Sequence, residues 1–266
     1  MSISQPSSSR PTAIVTGGAG AGIGHGITEV LAREGWAVVI VDLDERSAEE
    51  LSVRLAAEGH PTKVVVADIT AEGTPETCVQ AAVNAFGRLD GLVNSAGVGL
   101  TKMAGDVTDE EFYRLFNVDF MAAFRFTRAA LPELQKRGGA IVNIGSIHAR
   151  LNAQKYALYA ATKAALEAFT RGVAVDYGTK GVRANSVHPG LIESPQNEAL
   201  LANLVPNPRK WMDDFAGERQ CIPHLASAHE VGELVAFLLS GKARTITGQS
   251  IFIDGGTTSL LWNNER

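Results

Sequence analysis

The chain has 266 residues, 45% hydrophobic and 20% charged, with 27 glycines and a formal net charge of -5. That length can bury a full core, and the balance suits one large α/β domain rather than a disordered or fibrous chain. The mild negative charge argues against nucleic acid or an anionic membrane as the main partner. No apolar run approaches membrane length, and Cys78 and Cys221 lie far apart without metal-ligand spacing, so no metal is expected.

Residues 1–11 are rich in Ser and Pro and lack the apolar core of a signal peptide, so they read as a disordered lead-in. A soluble cytoplasmic protein is expected, with one domain over residues 12–266. Ala13-Ile14-Val15 is a short buried-strand pattern. It runs into a glycine-rich stretch from Thr16 to Gly26 and then a helical pattern over 27–34. Strand, glycine loop and helix form the setting of a dinucleotide fingerprint, in which the pyrophosphate sits on amides at the helix start. A second strand over 36–42 ends in Asp42. An acid about 20 residues past the loop can bind the adenosine ribose hydroxyls, or else cap the next helix. Arg46, the nearest cation, could swing towards a ribose phosphate or pair with Asp42 or Glu50.

After an amphipathic helix over 45–59, a third strand over 63–68 ends in Asp68. Asp68 could accept from an adenine amine or cap the following turn. A helix over 75–87 and a strand over 89–93 lead to Asn94-Ser95-Ala96-Gly97, where small residues permit a tight turn and close backbone approach. Thr108 to Glu111 opens a helix with a capping box, and the helix should run to 134 through Asn117. That polar residue on an apolar helix could bend it, hold a water, or be a satisfied core amide.

A fifth strand over 140–144 ends just before Ser146. The helix that follows, over 156–178, carries Tyr159 and Lys163 one turn apart on one face. A phenol beside an ammonium has its anion stabilised. With a serine hydroxyl nearby to bind the substrate oxygen, the three would form an acid/base site for a carbonyl/alcohol pair. By itself the Tyr-Lys spacing more often marks a solvated helix face. A sixth strand over 182–187 ends in His188-Pro189-Gly190. The segment 191–227 has no strong period and four prolines, and reads as a lid with one or two short helices. A helix over 229–240 and a strand with its turn over 249–256 close the pattern. Strict alternation of strand and helix predicts a parallel sheet covered on both faces.

The glycine loop, Asp42, Asp68, the Asn94–Gly97 turn, Asn117, Ser146, Tyr159-xxx-Lys163, Asn185-xxx-Pro189-Gly190 and Asp254-Gly255-Gly256 occur together in order. In this the chain resembles the classical short-chain dehydrogenase/reductase family, from about residue 12 to 256. The resemblance implies a Rossmann-type doubly wound sheet of seven strands in the order 3-2-1-4-5-6-7. It implies cofactor contacts from Gly17, Gly18, Gly22, Ile23, Gly24, Asp42, Asp68, Ile69, Asn94, Ala96, Gly97, Tyr159, Lys163, Pro189, Gly190, Ile192 and Ser194. Ser146 would polarise the substrate oxygen, Tyr159 would exchange its proton, Lys163 would assist, and Asn117 would hold a water leading from Lys163 to solvent.

Three departures stand out. Four residues rather than three separate Thr16-Gly17 from Gly22-Ile23-Gly24. Gly145 precedes Ser146 where a second serine is common. Ser194 and Pro195 follow the Pro-Gly where a threonine is usual. The expected cofactor is NAD(H), because no basic residue stands in the loop to offset Asp42. His148, Arg150 and Asn152 near Ser146, with Trp211 in the lid, would suit a hydroxylated substrate such as a sugar or polyol, or else simply face solvent. Ser146, His148, Asn152 and Tyr159 are thus the expected substrate contacts. Ala160, Ala161, Ala164, Ala165 and Ala168 would allow close helix pairing in a dimer or tetramer. The rival readings are a 3-oxoacyl thioester reductase using NADPH, a nucleotide sensor that has lost turnover, and a structural oligomer subunit.

Overall fold

The computed structural model describes residues 10–261. Of the lead-in expected over 1–11, only Arg10 and Pro11 therefore lie within the described residues. Seven segments become parallel strands: β1 (Thr12–Thr16), β2 (Ala37–Asp42), β3 (Thr62–Val66), β4 (Gly91–Asn94), β5 (Ala140–Ile144), β6 (Arg183–Pro189) and β7 (Ser250–Ile253). They form one sheet in the order β3-β2-β1-β4-β5-β6-β7. Between them run α1 (Ile23–Arg33), α2 (Glu45–Ala57), α3 (Thr74–Phe86), α4 (Asp109–Phe116), α5 (Ala122–Leu134), α6 (Ala157–Tyr177), α7 (Pro195–Ala202), α8 (Pro208–Arg219) and α9 (Ala228–Leu239).

Successive strand residues face opposite sides of a sheet. Ala13, Val15, Val38 and Ile40 pack with Ile27, Leu31, Leu51, Leu55, Val231 and Val235 from α1, α2 and α9. Ile14, Val39, Val41 and Leu92 pack on the other side with Cys78, Phe126, Leu134 and Val173 from α3, α5 and α6. Both faces are covered, which is why the central strands β1, β2 and β4 read as largely continuous apolar runs rather than alternating ones.

The structure departs from the expected boundaries in instructive places. The helix expected to run unbroken to 134 stops at Phe116, widens into a π turn over Asn117–Met121, and resumes as α5. Thr108 and Glu111 form the expected capping box. The fourth strand begins at Gly91, and Asp90 just before it holds Thr12 N (2.9 Å) and Arg88 with its carboxylate. The segment 191–227 forms α7 and α8 around a small core of its own, Leu201, Met212, Ala216 and Leu225. Among the described residues, no helix is long and apolar enough to cross a membrane.

Candidate active site

The expected cofactor residues gather beyond the carboxyl ends of the strands, on either side of the point where strand order reverses between β1 and β4. In open α/β sheets this is where ligands bind. Thr16 closes β1, and its Oγ1 accepts from Ser95 N (3.1 Å) and Ala96 N (3.2 Å), tying the glycine loop to the turn after β4. Gly17 follows at φ +62°, where a Cβ would stand 2.9 Å from Ala96 Cα. A Cβ at Gly24 would stand 2.0 Å from Gly17 O. Both positions require glycine. Gly18 has another role: its N–H donates to Val41 O (3.3 Å) and its carbonyl accepts from Thr28 Oγ1 (2.8 Å). The tight first turn therefore belongs to Gly17.

The extra loop residue is taken up at Ala19 and Gly20, whose N–H groups turn onto Asp42 Oδ2 at 2.9 and 3.2 Å. Asp44 N donates to Asp42 Oδ1 at 3.1 Å, so three amides hold this carboxylate. Arg46 does not reach it; its guanidinium bonds Glu50 at 2.8 Å. Gly22 caps α1 without a side-chain hydrogen bond. The first turn of a helix leaves amides without intrahelical partners, and at α1 they follow directly on Gly22, Ile23 and Gly24, as an anion site requires.

Asp68 accepts from Thr70 N (2.8 Å) and Thr70 Oγ1 (2.7 Å), which hold its carboxyl below the usual range, the amide foremost. It caps a turn, with Ile69 buried beside it. Asn94 is also engaged within the fold. Its Nδ2 donates to Asn143 Oδ1 (2.7 Å), and Asn143 Nδ2 donates to Thr170 Oγ1 (2.8 Å), a buried chain from β4 through β5 to α6. On the far side Gly190 N donates to Ile253 O (3.0 Å), just after Pro189 ends β6. Ser194 caps α7 through Asn197 N (3.2 Å), and Asn197 Nδ2 holds Ile192 O (2.7 Å). Gln196 N donates to Ala21 O (3.3 Å), so the first turn of α7 rests on the glycine loop.

The residues expected to carry acid/base chemistry lie near the end of β5, where Lys163 Nζ stands 3.4 Å from Ile144 O. Ser146 is buried, and its Oγ accepts from His148 N (3.2 Å) at the head of a short 3-10 turn. Tyr159 and Lys163 lie one turn apart on α6, with Lys163 Nζ 5.5 Å from the phenol ring centroid. His148 stacks on Tyr156 (4.6 Å, 9°) and meets Tyr159 edge-on (5.7 Å). Burial holds His148 below the usual imidazole range, against the Leu151 backbone and the Asn152 side chain, which favour the charged form. Asn152 itself is exposed. Trp211 is half-exposed and stacks on Phe215 (5.6 Å).

Two expectations need correction. Arg150 turns away from Ser146: its guanidinium bonds Glu167 (3.4 Å) and lies 4.7 Å over the Phe252 ring. Asn117 is not the residue of its helix that meets Lys163. That residue is Asp119, whose Oδ2 stands 3.3 Å from Lys163 Nζ while Oδ1 accepts from Val98 N (2.8 Å). Residues two apart on a helical turn point to opposite sides. Asn117 accordingly lines an outer cleft with Glu110, Tyr113, Arg114, Phe116 and Met121, and its carbonyl accepts from Ala122 N. Burial opposes the Lys163 ammonium most strongly, yet the Asp119 carboxylate and the Tyr159 oxygen together raise its pKa above the usual value.

His188 was not among the expected site residues. It is fully buried, with Nδ1 3.0 Å from Ser146 O, Nε2 2.8 Å from Ser186 Oγ, and its ring stacked on Phe252. Burial lowers its pKa, as do Arg150 and Lys163, against the Ser146 carbonyl and Glu167. The sequence marks Asp119 as an acid between Val118 and Phe120, but not which of Asn117 and Asp119 faces Lys163.

A family model described as enoyl-(acyl carrier protein) reductase matches residues 18–258. A hydroxynaphthalene reductase-like protein of Metarhizium guizhouense is 34% identical over 254 residues, 93% of this chain and 94% of that protein. Cyclopentanol dehydrogenase of Comamonas testosteroni is 33% identical over 249 residues, 92% of this chain and 96% of the relative. Among solved structures, L-sorbose reductase from Gluconobacter frateurii, complexed with NADPH and L-sorbose, superposes with a TM-score of 0.88. It is 30% identical, and the match covers 96% of this chain and 98% of that one.

Proposed function

The chain belongs to the short-chain dehydrogenase/reductase family, a family of NAD(P)-dependent oxidoreductases of alcohols and ketones, and from that premise we propose that it transfers a hydride between NAD(H) and a small secondary alcohol or ketone of the sugar or polyol class. The observation that carries the reading is the grouping at the end of β5: Ser146, the Tyr159 phenol, and a buried Lys163 5.5 Å from its ring. Ser146 orients the substrate oxygen, and Tyr159 gives or takes its proton. Lys163 stabilises the phenolate, with Asp119 rather than Asn117 as its partner. The bound dinucleotide supplies the hydride chemistry. The loop from Gly17 to Gly24 and the first turn of α1 hold its pyrophosphate. The turn Asn94–Gly97, with Pro189, Gly190, Ile192 and Ser194, borders the nicotinamide half. Asp68 and Ile69 border the adenine, and Asp42 the adenosine ribose.

NAD(H) rather than NADP(H) follows from Asp42, with Arg46 bonded to Glu50 rather than to that carboxylate. The sugar or polyol class follows from His148 and Asn152 beside Ser146 and Tyr159. It finds company in a neighbour solved with L-sorbose. The segment 191–227 acts as the lid. The site works in a homo-oligomer joined through α4, α5 and α6, where Tyr113 (68% exposed) and Val175 (79% exposed) stand outside the core. The protein works in the cytoplasm, with Cys78 and Cys221 as free thiols.

A panel of polyols, sugars, cyclic alcohols and alkyl ketones, assayed with both cofactors, tests the reading. Polyol or sugar turnover with NAD(H) is expected to lead. A clear preference for alkyl ketones rejects the substrate class, and no turnover with any pair rejects the enzyme reading. Sedimentation of a monomer at micromolar concentration would count against the assembly.

A further inference from the structure

Lys163 and Asp119 form a buried ion pair, and the charge on Asp119 goes beyond the partner role given it above. Lys163 is 5% exposed and Asp119 2% exposed. Asp119 Oδ1 holds Val98 N at 2.8 Å, which a neutral amide oxygen would do equally well. Its other oxygen faces the ammonium at 3.3 Å. Gly97 permits the close approach: a Cβ there would stand 3.3 Å from Lys163 Nζ and 3.5 Å from Asp119 Oδ1. Ile144 O is the other acceptor near the ammonium, at 3.4 Å. What the carboxylate adds over an amide is a full negative charge in a water-excluded site, at a desolvation cost that packing alone would not call for.

We propose that Asp119 is a positioning residue that sets the pH range in which the Tyr159–Lys163 pair works, its buried negative charge making both groups hold their protons to higher pH. This rests on Tyr159 and Lys163 being the acid/base pair. A nearby negative charge disfavours the phenolate and favours the ammonium, so both steps move the same way. The two groups titrate as a pair, and the observable is the pair's transitions rather than either residue's alone. Other titratable or charged groups face the pair or lie just beyond it. His148 and Tyr156 pack against Tyr159. His188 lies behind Ser146, with Glu167 and Arg150 beyond it. Burial keeps His148 and His188 below the usual imidazole range, so they stay neutral where the phenol titrates. Asp119 is then the charge in direct contact with Lys163 of the pair.

The test is Asp119→Asn, which keeps the acceptor for Val98 N and removes the charge. The ultraviolet phenolate transition of the cofactor-free protein, identified as the one that Tyr159→Phe abolishes, is expected to move to lower pH by about 1 or more. Both limbs of the kcat/KM profile should move with it. An unmoved transition, or one at higher pH, overturns the proposal. The absorbance readout needs no turnover, so a protein that reduces nothing in the panel but shows the shift would lose the dehydrogenase reading and keep this one. Should Asp119→Asn fail to fold, the unmodified protein decides. Carbon-13 NMR of the Asp119 carboxyl is expected to show the ionised form at neutral pH, and a protonated carboxyl there overturns the proposal.

Discussion

Replacing Asp42 by alanine should change which dinucleotide the protein uses, and the structure gives the size of the change. The carboxylate accepts from the N–H groups of Ala19, Gly20 and Asp44 at 2.9, 3.2 and 3.1 Å. Three amides pin it, so it cannot rotate away from a phosphate on the neighbouring ribose. That phosphate carries a charge of roughly -1.5 to -2. At about 4 Å and an effective dielectric of about 20, each unit-charge pair repels by roughly 4 kcal/mol. Halving this for screening leaves about 2 kcal/mol, more than tenfold in affinity. The unmodified enzyme is expected to show kcat/KM at least about ten times higher with NAD(H) than with NADP(H). Asp42→Ala removes the acceptor for the ribose hydroxyls and so weakens NAD. It also relieves the repulsion and frees the Ala19 and Gly20 amides to donate to a phosphate, where hydrogen bonds to a charged group contribute about 1.5–3 kcal/mol. The NAD/NADP ratio should narrow from both sides. Initial rates at sub-saturating cofactor, with the melting temperature followed in parallel, give the answer. Equal use of both cofactors by the unmodified enzyme, or an unchanged ratio in Asp42→Ala, would refute the placement of the ribose at this carboxylate.

Tyr159→Phe should lower kcat by roughly 10²–10⁴, or about 3–5 kcal/mol of barrier, with folding and NAD binding retained; near-normal kcat removes Tyr159 from the mechanism. Gly17→Ala forces a Cβ into a left-handed position 2.9 Å from Ala96 Cα. It should destabilise by about 1–2 kcal/mol or more from the backbone alone and weaken dinucleotide binding, measured by calorimetry of the free and NAD-loaded protein; unchanged values would mean the loop is not held as described. His148 and His188 both have lowered folded-state pKa values, chiefly from burial, against the ordinary 6.5. As pH falls through 6.5 the unfolded chain gains protons that the folded chain does not. Their contribution is therefore full above about 6.5 and is lost as pH drops through the folded values. The melting temperature should decline between about pH 7 and pH 5, above the window of the buried carboxylates, and a flat profile there would contradict the burial of these rings.

The sequence by itself determined the sheet and most of the site's address. Strands buried on both faces must be continuous apolar runs, and Ala13 to Val15, Val38 to Val41 and Ile141 to Ile144 read unmistakably as such. Right-handed crossovers then leave little choice of topology, and the polar residues after each strand had to meet at one edge. A one-turn spacing put Tyr159 and Lys163 on one helix face, and burial of Lys163 decided that the face is not a solvated one. Tertiary structure decided what depends on phase and on distant partners. Whether Asn117 or Asp119 faces Lys163 turns on a π turn whose position no local pattern fixes, because widening a helix by one residue rotates everything after it. The glycine loop's extra residue folds onto Asp42 only because β2 lies beside β1. His188 and Arg150 took their roles from Ser146, Glu167 and Phe252, residues brought beside them by β5–β6–β7 pairing and α6. Local sequence sets which backbone each segment adopts, while the partners of buried polar groups are set by where the other segments end.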